Sequence, residues 1–198
     1  KLNLQYLQMA IEKDSPDVKN ISGYVAGIIL NQIEHLSRIA SDFSQFANLA
    51  NTHMQDFDLN DALESVISLY ATNEKIDIQS RLTKGLIIHA DKTQINRLFT
   101  NLLQNAVQSV PEFRDIKIEI ESKVDAQFAI VSIKDNGIGI SPDMGSEIFV
   151  PNFTTKSSGT GLGLAICKGI VEKINGDIRF ETKVGEWTTF YVKIPLVK

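Results

Sequence analysis

The chain has 198 residues, of which 43% are hydrophobic and 22% charged, as in an ordinary globular protein. Its net charge of −4 argues against a nucleic-acid partner, because such binding requires clustered positive charge. The single cysteine, Cys167, excludes an internal disulfide framework and suits a reducing compartment, where we expect it to be a buried helix residue. No apolar run approaches the roughly 20 residues that cross a bilayer. We therefore expect a cytoplasmic location and no membrane contact from this sequence, although a longer parent protein would be free to carry an inner-membrane anchor.

The first fifty residues repeat apolar side chains at helical spacing. Leu4, Leu7 and Ile11 predict a first helix over about 1–13. Ser15-Pro16 then predicts the N-cap and first position of a second helix that ends near residue 50. This second helix carries an apolar seam with alternating spacings of three and four residues, at Ala26, Ile29, Ile33, Leu36, Ala40, Phe43, Ala47 and Ala50.

The seam is wider than one partner helix covers, because Ile21, Val25, Ile28, Ile39 and Phe46 extend it. We therefore expect a homodimer in which two helical hairpins form a four-helix bundle. The alternative is a hairpin that folds against the globular half of its own chain.

After Asn51 the pattern changes to alternating strands and helices. Strands are predicted at 55–59, 76–82, 86–90, 116–124, 128–134, 177–182 and 187–194, and helices at 61–70, 92–110 and 162–174. Three helices beside a mostly antiparallel sheet predict the α+β class, as a two-layer α/β sandwich. The sequence thus predicts two domains, a helical hairpin over 1–52 and a globular domain over 53–198.

Two asparagines, Asn101 and Asn105, stand four residues apart on the predicted helix 92–110, so both side chains leave the same face. An amide oxygen is a hard, neutral ligand that suits Mg²⁺. The alternative is a pair of surface amides on an amphipathic helix. The apolar residues that flank the pair favour a position at the edge of the buried face.

Two glycine segments follow. Asp135 ends a strand and precedes Gly137 and Gly139, where the backbone allows a planar ligand to approach and the carboxylate can accept from an exocyclic amine. An ordinary turn at a strand end is the alternative. The second segment, Gly159-Thr160-Gly161-Leu162-Gly163, places backbone N–H groups ahead of a helix N-terminus, which favours phosphate. Its alternative is a plain loop-to-helix junction.

The interval from Pro142 to Ser158, between the glycine segments, is polar and contains Phe149 and Phe153. Such a composition is typical of a lid that becomes ordered on a ligand, with the phenylalanines anchoring its base. Lys156 would meet a terminal phosphate there as a point charge, or else be an ordinary solvated lysine.

Together these segments resemble the N, G1, F and G2 boxes of the histidine kinase branch of the GHKL ATPases. The stretch from Ile33-Glu34-His35-Leu36 to Phe46 resembles the second helix of that family's dimerisation and phosphotransfer hairpin. Within that branch, the sequence resembles the nitrogen-regulation-type sensor kinases. The resemblance implies a Bergerat-type ATP-binding fold, ATP and Mg²⁺ as cofactors, and a response-regulator receiver domain as partner.

The resemblance also implies a role for each candidate residue. Asn105 would be the Mg²⁺ ligand, Asn101 would orient the metal or its water, and Asp135 would bind the adenine amine. The other implied contacts are with the base (Gly137, Gly139 and Thr188), with the phosphates (Gly159, Thr160, Gly161, Leu162 and Gly163) and with the γ-phosphate (Lys156).

The chain departs from the family pattern at three points. Gln108 stands where many relatives carry a basic residue, which puts phosphate contact there in doubt, and Trp187 replaces a common glycine before Thr188. The family's H box, a histidine followed by an acid and then Asn-Pro, is absent. We expect the sequence to begin immediately after it. The histidines present (His35, His53 and His89) are expected to be structural or solvated.

The sequence thus predicts the ATP-binding region and most of the dimerisation hairpin of a two-component sensor histidine kinase. Such a kinase transfers the γ-phosphoryl of Mg·ATP to a histidine and then to a response-regulator aspartate. Lacking the phosphoacceptor, this sequence alone is expected not to autophosphorylate. Two alternatives are a non-catalytic, nucleotide-sensing dimeric scaffold and a GHKL serine kinase of the anti-sigma type; the long seam argues against the second.

Overall fold

The computed structural model describes residues 2–13, 16–47, 52–154 and 159–197. The chain divides into two compact units, Lys1–Gln45 and Phe46–Lys198. Among the helices of the described ranges, none has the length and apolar character that crossing a bilayer requires.

The first unit is the predicted helical hairpin, formed by α1 (Leu2–Glu12) and α2 (Val18–Ala47). The carbonyl of Asp17 accepts the first hydrogen bond of α2, from the N–H of Ile21 at 3.0 Å. Ser15, the predicted N-cap, lies outside the described residues. Val25 is buried, whereas many other large apolar side chains of both helices are exposed, among them Leu4, Met9, Ile11, Leu30, Ile33 and Leu36. This unit therefore presents an extended apolar surface.

The second unit contains a five-stranded mixed sheet, formed by β2 (Ile76–Arg81), β4 (Ile116–Asp125), β5 (Phe128–Asp135), β6 (Asp177–Lys183) and β7 (Trp187–Pro195). The order of the strands in this sheet is β2-β4-β5-β7-β6. Only β2 and β4 pair in parallel, and the other three pairs of this sheet are antiparallel. A separate antiparallel pair joins β1 (Gln55–Asp58) to β3 (Ile87–Ala90).

Three helices, α3 (Leu59–Ser68), α4 (Lys92–Ser109) and α5 (Gly163–Lys173), form the second layer. Buried and exposed residues alternate along the strands because the helices cover only one face of the sheet. In β4, Ile118 and Ile120 are buried, whereas Glu119 and Glu121 are exposed. The core contains, from the helices, Leu63, Leu98, Phe99, Leu102, Leu103 and Ile170, and from the strands, Ile118, Ile120, Val131, Ile133, Phe190 and Val192. These elements confirm the predicted α+β sandwich.

The start of α4 is fixed by Asp91, whose Oδ1 accepts the N–H groups of Thr93 at 2.8 Å and Gln94 at 3.2 Å. This is a helix N-cap, which satisfies donors that the first turn leaves unpaired. Its other oxygen, Oδ2, accepts the N–H of His53 at 2.8 Å. One buried carboxylate therefore fixes both the beginning of α4 and the chain segment that enters the unit.

Candidate functional site

Helix α4 carries three polar residues at intervals of four, Asn101, Asn105 and Ser109, which we call the polar stripe. They lie along one face of the helix over about 12 Å, since each residue adds about 1.5 Å. At one end, Nδ2 of Asn101 donates to the carbonyl oxygen of Gly163 at 3.4 Å. At the other, the Ser109 hydroxyl donates to Oδ1 of Asp135 at 2.9 Å. The stripe therefore links the two glycine segments.

Asp135 is the last residue of β5 and is 3% exposed. Its Oδ1 also accepts the N–H of Gly137 at 2.8 Å. Thr188, likewise 3% exposed, is paired directly opposite Asp135 in the β5–β7 register, which puts both side chains on the inner face of the sheet. The structure thus brings together the two residues that the resemblance placed beside the base.

Neighbouring protein atoms leave no room for a side chain at Gly137 or Gly139, the two glycines that follow Asp135. A Cβ on Gly137 would overlap the Ser109 hydroxyl and come within 2.6 Å of Oδ1 of Asp135. Gly139 has a φ of +72°, and a Cβ there would lie 2.6 Å from the carbonyl oxygen of Lys183. A larger residue at either position would displace the turn that orients the carboxylate.

In the second glycine segment, Gly161 has a φ of +68°, and a Cβ on it would lie 2.5 Å from the carbonyl carbon of Asn152. The N–H of Asn152 donates to the carbonyl of Gly161 at 3.0 Å, which ties this loop to the end of the preceding interval. The N–H of Leu162 donates to the Thr160 hydroxyl at 3.4 Å, and α5 begins at Gly163. The segment thus leads directly into the N-terminus of α5.

Two candidate residues remain, Gly159 and Lys156. Gly159 is half-buried and precedes Thr160. Lys156 belongs to the stretch 155–158, which lies outside the described residues. Its predicted position near a terminal phosphate therefore stays a prediction.

A family model described as histidine kinase-, DNA gyrase B-, and HSP90-like ATPase matches residues 90–198, more than half of the chain. The matched region begins just before α4 and includes every candidate residue of the site. The chain belongs to this ATPase family. Its fold class and its resemblance to histidine kinases are thereby confirmed.

Sensor histidine kinases are also among its relatives. The signal transduction histidine-protein kinase AtoS of Escherichia coli (strain K12) is 34% identical over 85% of this chain and 28% of AtoS. A solved catalytic domain of histidine kinase ThkA is 33% identical, with a TM-score of 0.66 over 73% of this chain and 97% of that domain. ThkA in complex with response regulator TrrA is 26% identical, with a TM-score of 0.77 over 98% of this chain and 58% of ThkA. The chain spans 28–40% of the length of the first curated relatives that it matches.

For this member of the family, the structure adds site residues that the motifs did not indicate. Thr182 of β6 lies opposite Thr188, with 3.2 Å between the two hydroxyl oxygens, and its hydroxyl accepts the N–H of Ile140 at 3.0 Å. Ser109 is the third member of the polar stripe. Its spacing of four from Asn105 was a signal available in the sequence, whereas Thr182 acts through a cross-strand contact that no local spacing reveals.

Arg114 is a further addition, because its guanidinium fastens the turn that follows Asp135. Nη1 donates to the carbonyl of Asn136 at 2.6 Å, and Nη2 donates to the carbonyl of Gly185 at 3.5 Å, in the turn between β6 and β7. The N–H of Gly185 in turn donates to the carbonyl of Ile138 at 2.7 Å. Two loops that are distant in sequence are thus held together beside the site.

The base of the interval between the glycine segments is anchored as the sequence predicted. Phe149 makes edge-on contacts with Phe180 and Phe190, with ring centroids 6.3 and 6.4 Å apart. Phe153 also packs against the core. The aromatic contacts fix the middle of the interval to β6 and β7.

Trp187, one of the departures from the family pattern, turns away from Thr188, because successive residues of a strand point to opposite faces. Nζ of Lys134 lies 5.9 Å from the Trp187 ring on the outer face of the sheet. Trp187 therefore does not narrow the space beside Asp135. Gln108, which also departs from the family pattern, is exposed on α4.

Cys167 is fully buried, and its Sγ lies 3.6 Å from the carbonyl of Leu98. Burial raises the pKa of this thiol to about 12, although a contact with the Asn101 side chain acts in the opposite direction. The thiol is therefore not a nucleophile at neutral pH. The thiol packs between α4 and α5 and contacts the Asn101 side chain.

Of the two histidines whose side chains the structure describes, His53 and His89, neither lies on a helix. Nδ1 of His89 lies 2.6 Å from Oδ1 of Asp56 in an exposed cross-strand pair between β3 and β1. His53 donates its backbone N–H to Asp91. The side chain of His35 lies outside the described residues.

Across the described parts of the chain, no group of three or more His, Cys, Asp or Glu side chains is placed to hold a metal ion. A divalent cation at the polar stripe would instead use the amide oxygen of half-buried Asn105 together with ligand oxygens and water. This donor set fits Mg²⁺, which retains several waters and takes few protein ligands.

Proposed function

We propose that residues 53–198 bind Mg·ATP as the catalytic domain of a two-component sensor histidine kinase, and that residues 1–52 are part of its phosphotransfer hairpin. The observation that carries the proposal is the polar stripe of α4, because Asp135 contacts one of its ends and the N-terminus of α5 contacts the other. An elongated ligand with a base at one end and phosphates at the other matches this polarity.

The base would lie beside Asp135 and Thr188, with the carboxylate accepting from an exocyclic amine. The turn shaped by Gly137 and Gly139 would supply the wall of its pocket. The phosphates would take N–H donors from the loop Gly159, Thr160, Gly161, Leu162 and Gly163 at the start of α5.

Asn105 would hold Mg²⁺, which when bound neutralises charge on the phosphate oxygens, and Asn101 would orient the metal or its water. Lys156 would approach the γ-phosphoryl group from the interval between the glycine segments. The contribution of these residues to catalysis would be positioning and charge stabilisation.

The acceptor in the parent protein would be a histidine in an H box, and the phosphoryl group would then pass to an aspartate of a receiver domain. The solved complex of ThkA with response regulator TrrA supports a partner of this class. The exposed apolar residues of α1 and α2 support a homodimer through the hairpin.

Isothermal titration of the 198-residue chain with a non-hydrolysable ATP analogue, with and without Mg²⁺, tests the proposal. We expect saturable binding that Mg²⁺ strengthens and that Asp135→Asn weakens by about tenfold or more. Gln104→Ala, which removes an exposed amide from the same helix outside the stripe, is the matched control and should leave binding unchanged. Absence of binding by the folded wild-type chain would contradict the proposal.

A further inference from the structure

Ser109 is the last residue of α4, and its hydroxyl has two acceptors within reach. It lies 2.9 Å from Oδ1 of Asp135 and 2.8 Å from the carbonyl of Ala106. A serine hydroxyl has one hydrogen to donate, and a carboxylate oxygen is the stronger acceptor. The contact with Asp135 is therefore the more favourable of the two.

The surroundings of Ser109 are built around this contact. Its carbonyl accepts the N–H of Ile138 at 3.0 Å, which fixes the end of α4 against the turn after Asp135. Gly137 leaves the space that the hydroxyl occupies, because a Cβ there would overlap it. The N–H of Gly137 donates at 2.8 Å to the same carboxylate oxygen as Ser109.

Two donors on one oxygen, from the end of a helix and from a turn, fix the rotation of the Asp135 carboxyl plane. We propose that Ser109 is a positioning residue for base selectivity: by holding Asp135, it makes the site selective for 6-aminopurine nucleotides. Ser109 acts through Asp135 and does not itself touch the base. The inference rests on the proposed function, because it concerns how the proposed ATP site recognises the base of its nucleotide.

A purely structural role for Ser109 predicts something different. The bond from its hydroxyl to Ala106 closes the last turn of α4, and its loss would weaken the binding of every nucleotide alike. A role through Asp135 changes the binding only of ligands whose base presents an amine to the carboxylate. The ratio of two affinities therefore separates the roles.

The experiment compares ATP with purine riboside 5′-triphosphate, which has hydrogen in place of the 6-amino group, by titration of the full chain in Mg²⁺. For Ser109→Ala we expect ATP affinity to fall about tenfold. Affinity for purine riboside triphosphate should stay within about twofold of the wild-type value. In an Asp135→Asn background, the serine substitution should change ATP affinity by less than about twofold, since coupled residues are not additive.

Ser68→Ala is the matched control. Its hydroxyl makes the same kind of bond at the end of α3, to the carbonyl of Ser65 at 2.7 Å, and it is exposed. This variant should bind both triphosphates as the wild type does. If Ser109→Ala fails to fold, Ser109→Cys replaces the hydroxyl by a thiol, which is only a weak hydrogen-bond donor, and the same ratio of affinities is measured.

Equal weakening of both triphosphates, or unchanged affinity for both, would overturn the role of Ser109 while leaving the ATP site in place. Failure of the folded wild-type chain to bind ATP would instead remove the proposed function itself. The two failures are therefore distinguishable.

Discussion

The backbone N–H of His53 donates to Oδ2 of Asp91 at 2.8 Å, while Oδ1 of the same carboxylate caps α4. Asp91 is 8% exposed, so these bonds are shielded from water. Burial raises the pKa of Asp91, but the hydrogen bonds from His53, Gln94 and Thr93 outweigh it and hold the pKa below its ordinary value of 3.8. The helix that carries the polar stripe is thereby tied to the segment by which the chain enters the unit.

Replacing Asp91 by Ala should therefore destabilise the second unit by about 2 kcal/mol, since a cap is lost and buried N–H groups lose their acceptor. Urea unfolding followed by circular dichroism measures this. Asp91→Asn, which keeps one acceptor oxygen, should cost less. An alanine variant as stable as the wild type would show that the cap contributes nothing.

The pH dependence of the stabilisation by Asp91 follows from the direction of its pKa shift. Because the pKa of Asp91 is lower in the folded than in the unfolded chain, the stabilisation is fully present above its ordinary value of 3.8 and is lost as the pH falls through the lowered folded value. Urea unfolding from pH 6 down to pH 3 should show the wild type losing its advantage over Asp91→Ala at the acid end. A constant difference would contradict the assignment.

Asn105→Ala should abolish the strengthening of nucleotide binding by Mg²⁺ and leave metal-free affinity within about twofold, since an amide ligand serves the metal rather than the base. Titrations with and without Mg²⁺ measure both quantities. Gln104→Ala controls for loss of an amide from the same helix. Retained metal dependence in the Asn105 variant would exclude this residue as the ligand.

Gly161→Ala should be more damaging than Gly185→Ala, although both glycines have a positive φ. A Cβ at Gly161 meets the backbone of Asn152, whereas one at Gly185 meets nothing within 4 Å. The Gly185 variant then pays only the left-handed backbone strain of about 1–2 kcal/mol, and the Gly161 variant adds a steric clash. Urea midpoints compare the two. Equal loss would mean that the clash is relieved without cost.

Incubation of the chain with γ-labelled ATP should give no acid-labile label, because none of its three histidines lies in an H-box sequence. Addition of a peptide that contains such a box should produce label on the peptide. Label on His35, His53 or His89 would contradict this expectation, and His89 is the informative case because it is exposed and paired with Asp56.

Much of the fold followed from the sequence, because its elements depend on local patterns. The periodicity around Leu98, Leu102 and Leu103 predicted α4 to within one residue of its observed end, and each of the seven strands was predicted within one residue of its observed bounds. The parallel pairing of β2 with β4 and the separation of β1 and β3 were not predictable, since strand pairing is settled by tertiary contacts. The same limit explains Ser109: its spacing was visible, but its contact with Asp135 joins a helix end to a strand end 26 residues away.

The interval between the glycine segments has consequences for where such a domain can change in length. Its two ends are fixed, by Thr182 at one side and by the start of α5 at the other, and Phe149 and Phe153 pack against the core between them. An insertion within 148–153 would therefore displace buried side chains, whereas one on either side of this stretch would leave them in place. Where a flexible loop alone is lengthened, doubling it costs only about 0.6 kcal/mol of loop-closure entropy.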